Sequence, residues 1–381
     1  MSERVTLASA ALALVVACAG RPAVTANPPP VPEIDRIDVI AHVIVPTDGA
    51  PRHQRLSGIS GLAYDRWRHE WIAVSDDRQA PRWYVTRFAA DRDRLVLTSD
   101  PPVTAALPAG GARALDFEAV VILPDGDLLI ASEGGRDGER RYPSSIMRFR
   151  RDGHYLADVR VPERFLPSTG EADRGLRDNH GFESLGLSPD GSRLWAIAEG
   201  PLLQDDEPAT GRRGARIRLI EFVRHGGSFA AARELVYPID RVPIAANLGD
   251  SAVVVDQGVS EMTVLPDGTL LSMERAFVRD NARRRSWNVV RLFRLDLDGA
   301  DDVSGTASLR QATGVRAIRK ELVADLSALT SALPPALADL ENFEAMAPAP
   351  SPAGAVSIVM MSDDNFSASQ VTAAVLLRYK P

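Results

Sequence analysis

Apolar and polar positions alternate in short runs along most of this chain, and five of the runs share one layout. They are "LSGISGLAYDRWRHEWIAVSDDR" (56–78), "LDFEAVVILPDGDLLIASEGG" (115–135), "NHGFESLGLSPDGSRLWAIAEG" (179–200), "GVSEMTVLPDGTLLSMERAF" (258–277) and "LENFEAMAPAPSPAGAVSIVMMSDDNF" (340–366). Each begins on Ser or Glu, alternates through a strand-length segment, turns, and returns through a second apolar segment to Asp or Glu. A period of two predicts β-strands, and a turn between two such runs predicts a hairpin. Three turns are Pro-Asp-Gly, at 124–126, 189–191 and 266–268. Proline presets φ, aspartate bonds its own backbone, and glycine accepts positive φ.

The start positions are Ser60, Glu118, Glu183, Ser260 and Glu344, and the end positions are Asp76, Glu133, Glu199, Glu274 and Asp363. The residue midway between Glu183 and Glu199 is Gly191, and the one midway between Ser260 and Glu274 is Asp267, both in the turns. Residues equidistant from a turn face each other in an antiparallel pair, so start and end residues are expected side by side.

Further strand-like runs follow each hairpin, such as "RWYVTRFAA", "SSIMRFRRDG", "IRLIEFVRHG" and "NVVRLFRLDLDG". After the fifth hairpin only "VTAAVLLRYK" remains, and "IDRIDVIAHVIVP" at 34–46 is available to supply the missing outer strand. This predicts an all-β chain: a β-propeller of five four-stranded blades, closed by its N-terminal strand. Starts spaced 58, 65, 77 and 84 residues apart leave six blades as an alternative, with long loops as the other explanation. A β-sandwich predicts neither the period nor the complementary termini.

The leader changes the picture of where the protein works. "MSERVTLASAALALVVACAG" carries Arg4, an apolar run from Val5 to Ala17, and Cys18. The run is shorter than a bilayer span and reads as a signal peptide. Val15-Val16-Ala17-Cys18 resembles a lipobox, which makes Cys18 the lipidation site; a plain secretory cleavage is the alternative. Residues 1–18 are thus expected to be the signal, Pro/Ala-rich 19–33 a tether, and 34–381 the propeller domain. The expected location is the bacterial envelope, at the periplasmic face, with Ala19 favouring the outer membrane. The membrane is then met only through the lipid. Cys18 is the only cysteine, so no disulfide forms within the chain.

A net charge of −7 argues against nucleic acid as a partner, since phosphate-backbone binding needs a basic surface. A small molecule bound to a monomer is expected instead. If the first strand of each repeat is innermost, the acids gather at one mouth of the central channel. Asp76, Glu133, Glu199, Glu274, Asp363 and Asp364 then form a hard-oxygen ligand set suited to Ca²⁺ or Mg²⁺. The same acids can instead bond backbone amides and hold neighbouring blades together. Arg78, Arg136 and Arg275 occupy matching positions, where they either pair with acids or contact an anionic substrate. His180 before the third start is a candidate acid or base. No nucleophile elbow, H-E-x-x-H, Walker loop or C-x-x-C is present.

"NHGFESLGLSPDGSRLWAIAEGPL", "GVSEMTVLPDGTLLSMERAF" and "NFEAMAPAP…VMMSDDNF" resemble the phytase-like family, whose description is esterase-like activity of phytase. The resemblance runs over about 56–381. It implies an exported propeller with Glu118, Glu183, Arg275, Glu344, Asp363, Asp364 and Asn365 as functional residues. It also implies a metal-dependent hydrolase acting on an ester, specifically a phosphoester. The chain departs from propeller phytases in lacking a lysine-rich channel: its two lysines, Lys320 and Lys380, lie outside the hairpins. A non-catalytic envelope propeller that binds a ligand or protein is the second reading, and a lactonase-like propeller with one channel metal the third.

Overall fold

The five alternating repeats fold as five antiparallel hairpins, and each hairpin forms the inner half of a four-stranded sheet. The computed structural model describes residues 37–46, 51–91, 94–107, 115–137, 140–167, 174–242, 252–351 and 355–380. The expected signal peptide, Cys18 and the tether lie outside them, as does the side chain of Arg136.

Blade 1 runs from inside to outside as Ile59–Asp65, Glu70–Ser75, Arg82–Asp91 and Arg94–Ser99. Blade 2 is Phe117–Ile122, Leu128–Ser132, Ser145–Phe149 and Tyr155–Val159, and blade 3 is Phe182–Leu187, Arg193–Ala198, Ala215–His225 and Ser228–Ile239. Blade 4 is Ala252–Val264, Leu270–Asp280, Arg285–Asp296 and Arg319–Asp325. Blade 5 is Asn342–Ala349, Val356–Asp363 and Ala373–Tyr379, and its outer strand is Ile37–Ile44 from the start of the domain. The inner strands touch in sequence around a closed ring, with blade 5 returning to blade 1. The fold is a five-bladed β-propeller closed by its N-terminal strand, and no sixth blade is found among the described residues.

The uneven spacing has a local cause. Long connections at 200–214 and 297–318 lie against blade 3 and are fastened by Arg218, which is fully buried. Its guanidinium bonds Asp205, Glu234 and the carbonyls of Val303 and Thr306.

Apolar residues from facing blades form five separate cores, one per blade boundary. Phe117, Val120 and Ile130 of blade 2 meet Ile72, Val74 and Trp83 of blade 1, for example. Phe182 and Leu185 of blade 3 meet Ala119 and Val121 of blade 2. An inner strand is covered on both faces, which is why its residues are nearly all buried despite an alternating sequence. Removal of apolar surface from water at these boundaries holds the blades together.

The Pro-Asp-Gly turns work as their composition predicts. Gly126, Gly191 and Gly268 take φ of 91°, 71° and 91°. Asp125, Asp190 and Asp267 each accept the amide two residues on, from Asp127, Ser192 and Thr269.

Two features exceed the simple hairpin. First, every inner strand carries a β-bulge, falling between Ile59/Gly61, Phe117/Ala119, Phe182/Ser184, Val259/Glu261 and Phe343/Ala345. The bulged residue is thus Ser60, Glu118, Glu183, Ser260 and Glu344, each a start position. A bulge leaves its residue unpaired and re-aims its side chain. Symmetry about the turn predicts start and end residues directly opposite each other, but they are not. In blades 1, 2, 3 and 5 the partner of the end position lies two residues before the bulge, and in blade 4 Glu274 pairs with Val259, one residue before it. Second, Glu261, one residue past the blade 4 bulge, is buried and ties four blades together. Its carboxylate accepts from Ser184 Oγ of blade 3 at 2.7 Å and from its neighbour Met262 N at 2.9 Å. It also accepts the amides of Met346 in blade 5 and Leu62 in blade 1.

Candidate functional site

The bulges turn three carboxylates toward one mouth of the channel, at the end away from the Pro-Asp-Gly turns. Glu118, Glu183 and Glu344 line a cavity of about 780 Å³ there. Asp76, Glu133, Glu199 and Asp363 join them from the ends of the second strands. Asp116 and Asp256 add two more acids, giving nine carboxylates against three arginines, Arg52, Arg78 and Arg275. Asn365, on the loop after Asp363, also lines the cavity.

Close backbone approach lets the acids converge. A Cβ on Gly181 would lie 2.7 Å from Glu133 Cγ, and one on Gly258 would lie 2.2 Å from Glu199 Cγ. These glycines stand two residues before a bulge, where blades 2 and 5 carry Asp116 and Asn342. Asn342 pairs with Asp363, and its amide donates to Glu344 Oε1 at 2.8 Å. The amide of Glu133 bonds the carbonyl of Asp116.

The same register corrects one expectation. In blade 4, Gly258 pairs with Arg275, so Arg275 occupies the end position that acids hold in the other blades. Glu274 points to the opposite face, where it bonds Tyr237 at 2.9 Å and pairs with Lys320 and Arg291. It is no part of the acidic mouth. Asp364 is also displaced: its Oδ1 accepts Gly58 N at 3.0 Å and its Oδ2 lies 3.5 Å from Arg55. His180 sits behind the wall, with Nδ1 3.0 Å from Glu199 Oε2.

Arg275 reaches Glu344 Oε1 at 3.1 Å and Glu199 Oε1 at 3.6 Å. Arg78 bonds Asp116 at 2.6 Å and Asn179 at 3.0 Å, with half its side chain exposed. Arg52 lies 3.5 Å over the Phe366 ring and 3.2 Å from Asp77. Among the described residues, no cation lies within ion-pair distance of Glu118 or Glu183, although both are buried.

Proton affinities follow from this crowding. Burial, and then the charges of neighbouring acids, hold the Glu118 and Glu183 carboxyls well above the usual range. Burial raises Asp76 to about 8, with Glu344 and Asp116 adding to it. Burial and Glu199 raise Glu133 to about 7, against an opposing bond from the Gly181 amide. Burial alone would lower His180, but the Glu199 carboxylate, with Asp256 and Glu133, brings it up to about 9.

An all-oxygen cluster that buries more negative than positive charge fits a hard divalent cation. Two oxygen trios have ligand atoms within 4.8 Å of one another: Asp116, Glu118 and Glu133, and Glu133, Glu183 and Glu199. A third, His180, Glu199 and Asp256, includes a ring nitrogen. Sequence reasoning missed Arg52, Asp116, Asp256 and Asn342. Asp116 and Asn342 had a signal, since both stand two residues before a start position, whereas Arg52 and Asp256 fall outside the repeats' common layout.

The model of the phytase-like family, described as esterase-like activity of phytase, matches residues 54–366. An uncharacterized secreted protein of Arthroderma benhamiae is 26% identical over 190 residues, covering 44% of this chain. The match spans only 35% of that relative's length. Among solved structures, an endo-arabinase from Bacteroides thetaiotaomicron aligns with a TM-score of 0.43 and 10% identity, over 84% of this chain and 93% of that one. A protein of unknown function from Dyadobacter fermentans aligns with a TM-score of 0.40 and 10% identity, over 91% and 100%.

Proposed function

Because the chain belongs to the phytase-like family, we propose that it is an exported hydrolase of phosphoesters that works with Ca²⁺ or Mg²⁺ in the acidic mouth. The observation that carries this reading is the excess of carboxylates lining one cavity, nine against three arginines, with Asp116, Glu118, Glu183, Glu199 and Asp363 buried. Glu118, Glu133, Glu183 and Glu199, with Asp116, would hold the cation. When bound, it supplies positive charge against a phosphate and eases deprotonation of water. Export is supported by the leader pattern ending at Cys18, the expected lipid anchor, and by a relative described as secreted.

The chain's own residues supply the rest. Arg275, set among acids, is placed to bond phosphoryl oxygens, and half-exposed Arg78 and Arg52 to orient the entering anion. Glu133, which a bound cation would keep ionised, is suited to take the proton of the attacking water as the P–O bond breaks. Asp76, still protonated at neutral pH, is suited to return a proton to the departing oxygen.

The test is hydrolysis of p-nitrophenyl phosphate and a panel of sugar and inositol phosphates, with Ca²⁺ or with EDTA. EDTA is expected to abolish turnover, and E133Q to lower kcat by about a hundredfold. Turnover that survives both EDTA and E133Q would overturn the reading. So would absence of turnover across the panel together with a melting temperature insensitive to Ca²⁺. One observation favours a structural part for Glu133: its Oε1 accepts Gly181 N at 3.0 Å across the blade 2–blade 3 boundary. E133Q is therefore also checked for a lowered melting temperature.

A further inference from the structure

The channel has a second end, where the hairpin turns gather, and a cavity of about 470 Å³ opens there. All five inner strands wall it, through Leu62, Val120, Leu185, Met262 and Ala347 among others. Glu261 stands between this cavity and the acidic one, on the inner strand of blade 4. It directs its carboxylate to Ser184 and three backbone amides, so its acceptors are already engaged. Arg66 is the one charged side chain among the described residues that line the cavity. It projects from the blade 1 turn toward blade 3, with Nη2 3.4 Å from the Pro189 carbonyl. Its guanidinium lies 4.2 Å from the centre of the Trp67 ring, which is 59% exposed at the rim. No carboxylate pairs with Arg66 among the described residues.

From this arrangement we infer that the turn-side cavity is a second binding site, for a small amphiphilic anion such as a medium-chain carboxylate. The volume suits a small ligand, and the wall removes an aliphatic or aromatic body from water. The wall offers no charged partner in its depth, so a polar head must stay at the rim. There Arg66 supplies a charge-assisted bond and Trp67 a flat apolar contact. The site is separate from the acidic mouth and does not depend on the proposed hydrolysis.

Dodecanoate, kept below its micellar concentration, is titrated into the full exported chain and followed by tryptophan fluorescence and calorimetry. One saturable site is expected, with the fluorescence change lost in W67F while the heat of binding remains. R66E is expected to weaken dodecanoate about tenfold or more, the loss of one charge-assisted bond. A349W, which fills the cavity from a half-buried position, is expected to abolish binding with its melting temperature retained. The inference is overturned if wild type shows no saturable binding, or if A349W binds like wild type. It is also overturned if dodecyltrimethylammonium binds as tightly as dodecanoate. Association with phosphatidylglycerol vesicles but not with monomeric dodecanoate would overturn it as well, by giving the cavity to a bilayer.

Discussion

Glu183 shows what a single bulge does. In a regular strand its side chain would follow the pleat toward one face or the other. Unpaired between Phe182 and Ser184, it turns instead into a shared cavity with Glu118 and Glu344. The cost is electrostatic, and it has a pH signature. Asp76 and Glu133 have folded-state affinities raised to about 8 and about 7, above their values in an unfolded chain. His180 is raised as well, to about 9. For each group the folded state binds the proton more tightly, so the stability it contributes is present at low pH and lost as pH rises through these values. In EDTA the melting temperature is expected to fall steadily between about pH 5 and pH 9. Ca²⁺ should flatten that fall, with its largest effect at the alkaline end, where the acids are ionised. E183Q removes one acid whose ionisation the crowded site opposes, and should raise the melting temperature in EDTA at the alkaline end while shrinking the Ca²⁺ response. A profile flat in EDTA, or a Ca²⁺ response unchanged in E183Q, would refute this account of the cluster.

At the scale of the element, the hairpins were legible and their register was not. Turn chemistry and alternation mark both strands of each repeat, because Pro-Asp-Gly and a period of two are local signals. A bulge adds one residue to one strand and leaves no local mark, so pairing by symmetry about the turn slips. Blade 4 shows the consequence. Glu274 matches the acids of the other repeats in chemistry, but Arg275 matches them in position: it lies 15 residues after Ser260, as Glu133 lies 15 after Glu118. Position decides, because the strand alternates and adjacent residues face opposite ways. Glu261 belongs to this scale too, since it joins inner strands that share no ladder. E261A would leave the amides of Leu62, Met262 and Met346 without their acceptor, and the Ser184 hydroxyl with only the Met262 carbonyl at 3.2 Å. It should cost about 3 kcal/mol or more in urea unfolding. E261Q keeps one acceptor oxygen and should fall between E261A and wild type.

For the whole molecule, the sequence revealed the ring by subtraction: the last repeat lacked a strand and the domain's start offered one. Ile37–Ile44 indeed pairs antiparallel with Ala373–Tyr379, through a register that spans both segments apart from one irregularity between Val39 and Ala41. It also touches blade 1 through a single parallel bridge, His42 to Arg94. The five-blade count was less legible, because connections such as 297–318 lengthen the repeat without adding a blade. Truncation through Val45 would strip blade 5 of its outer strand, expose the edge of Ala373–Tyr379, and uncover Ile37 and Ala41 contacts in two cores. Calorimetry is expected to show a much lower melting temperature and a tendency to aggregate. A truncated chain that melts like the full one would remove the closure from the list of what stabilises the ring.

The closing strand also sets an order in time. Ile37 meets Tyr379 only when more than three hundred intervening residues have been made. The segment that leaves the ribosome early therefore finds its partner last. Until then blade 5 has an open edge and the ring is not locked shut. For the export proposed above, a clasp whose two halves lie more than three hundred residues apart keeps the ring open until both have been made.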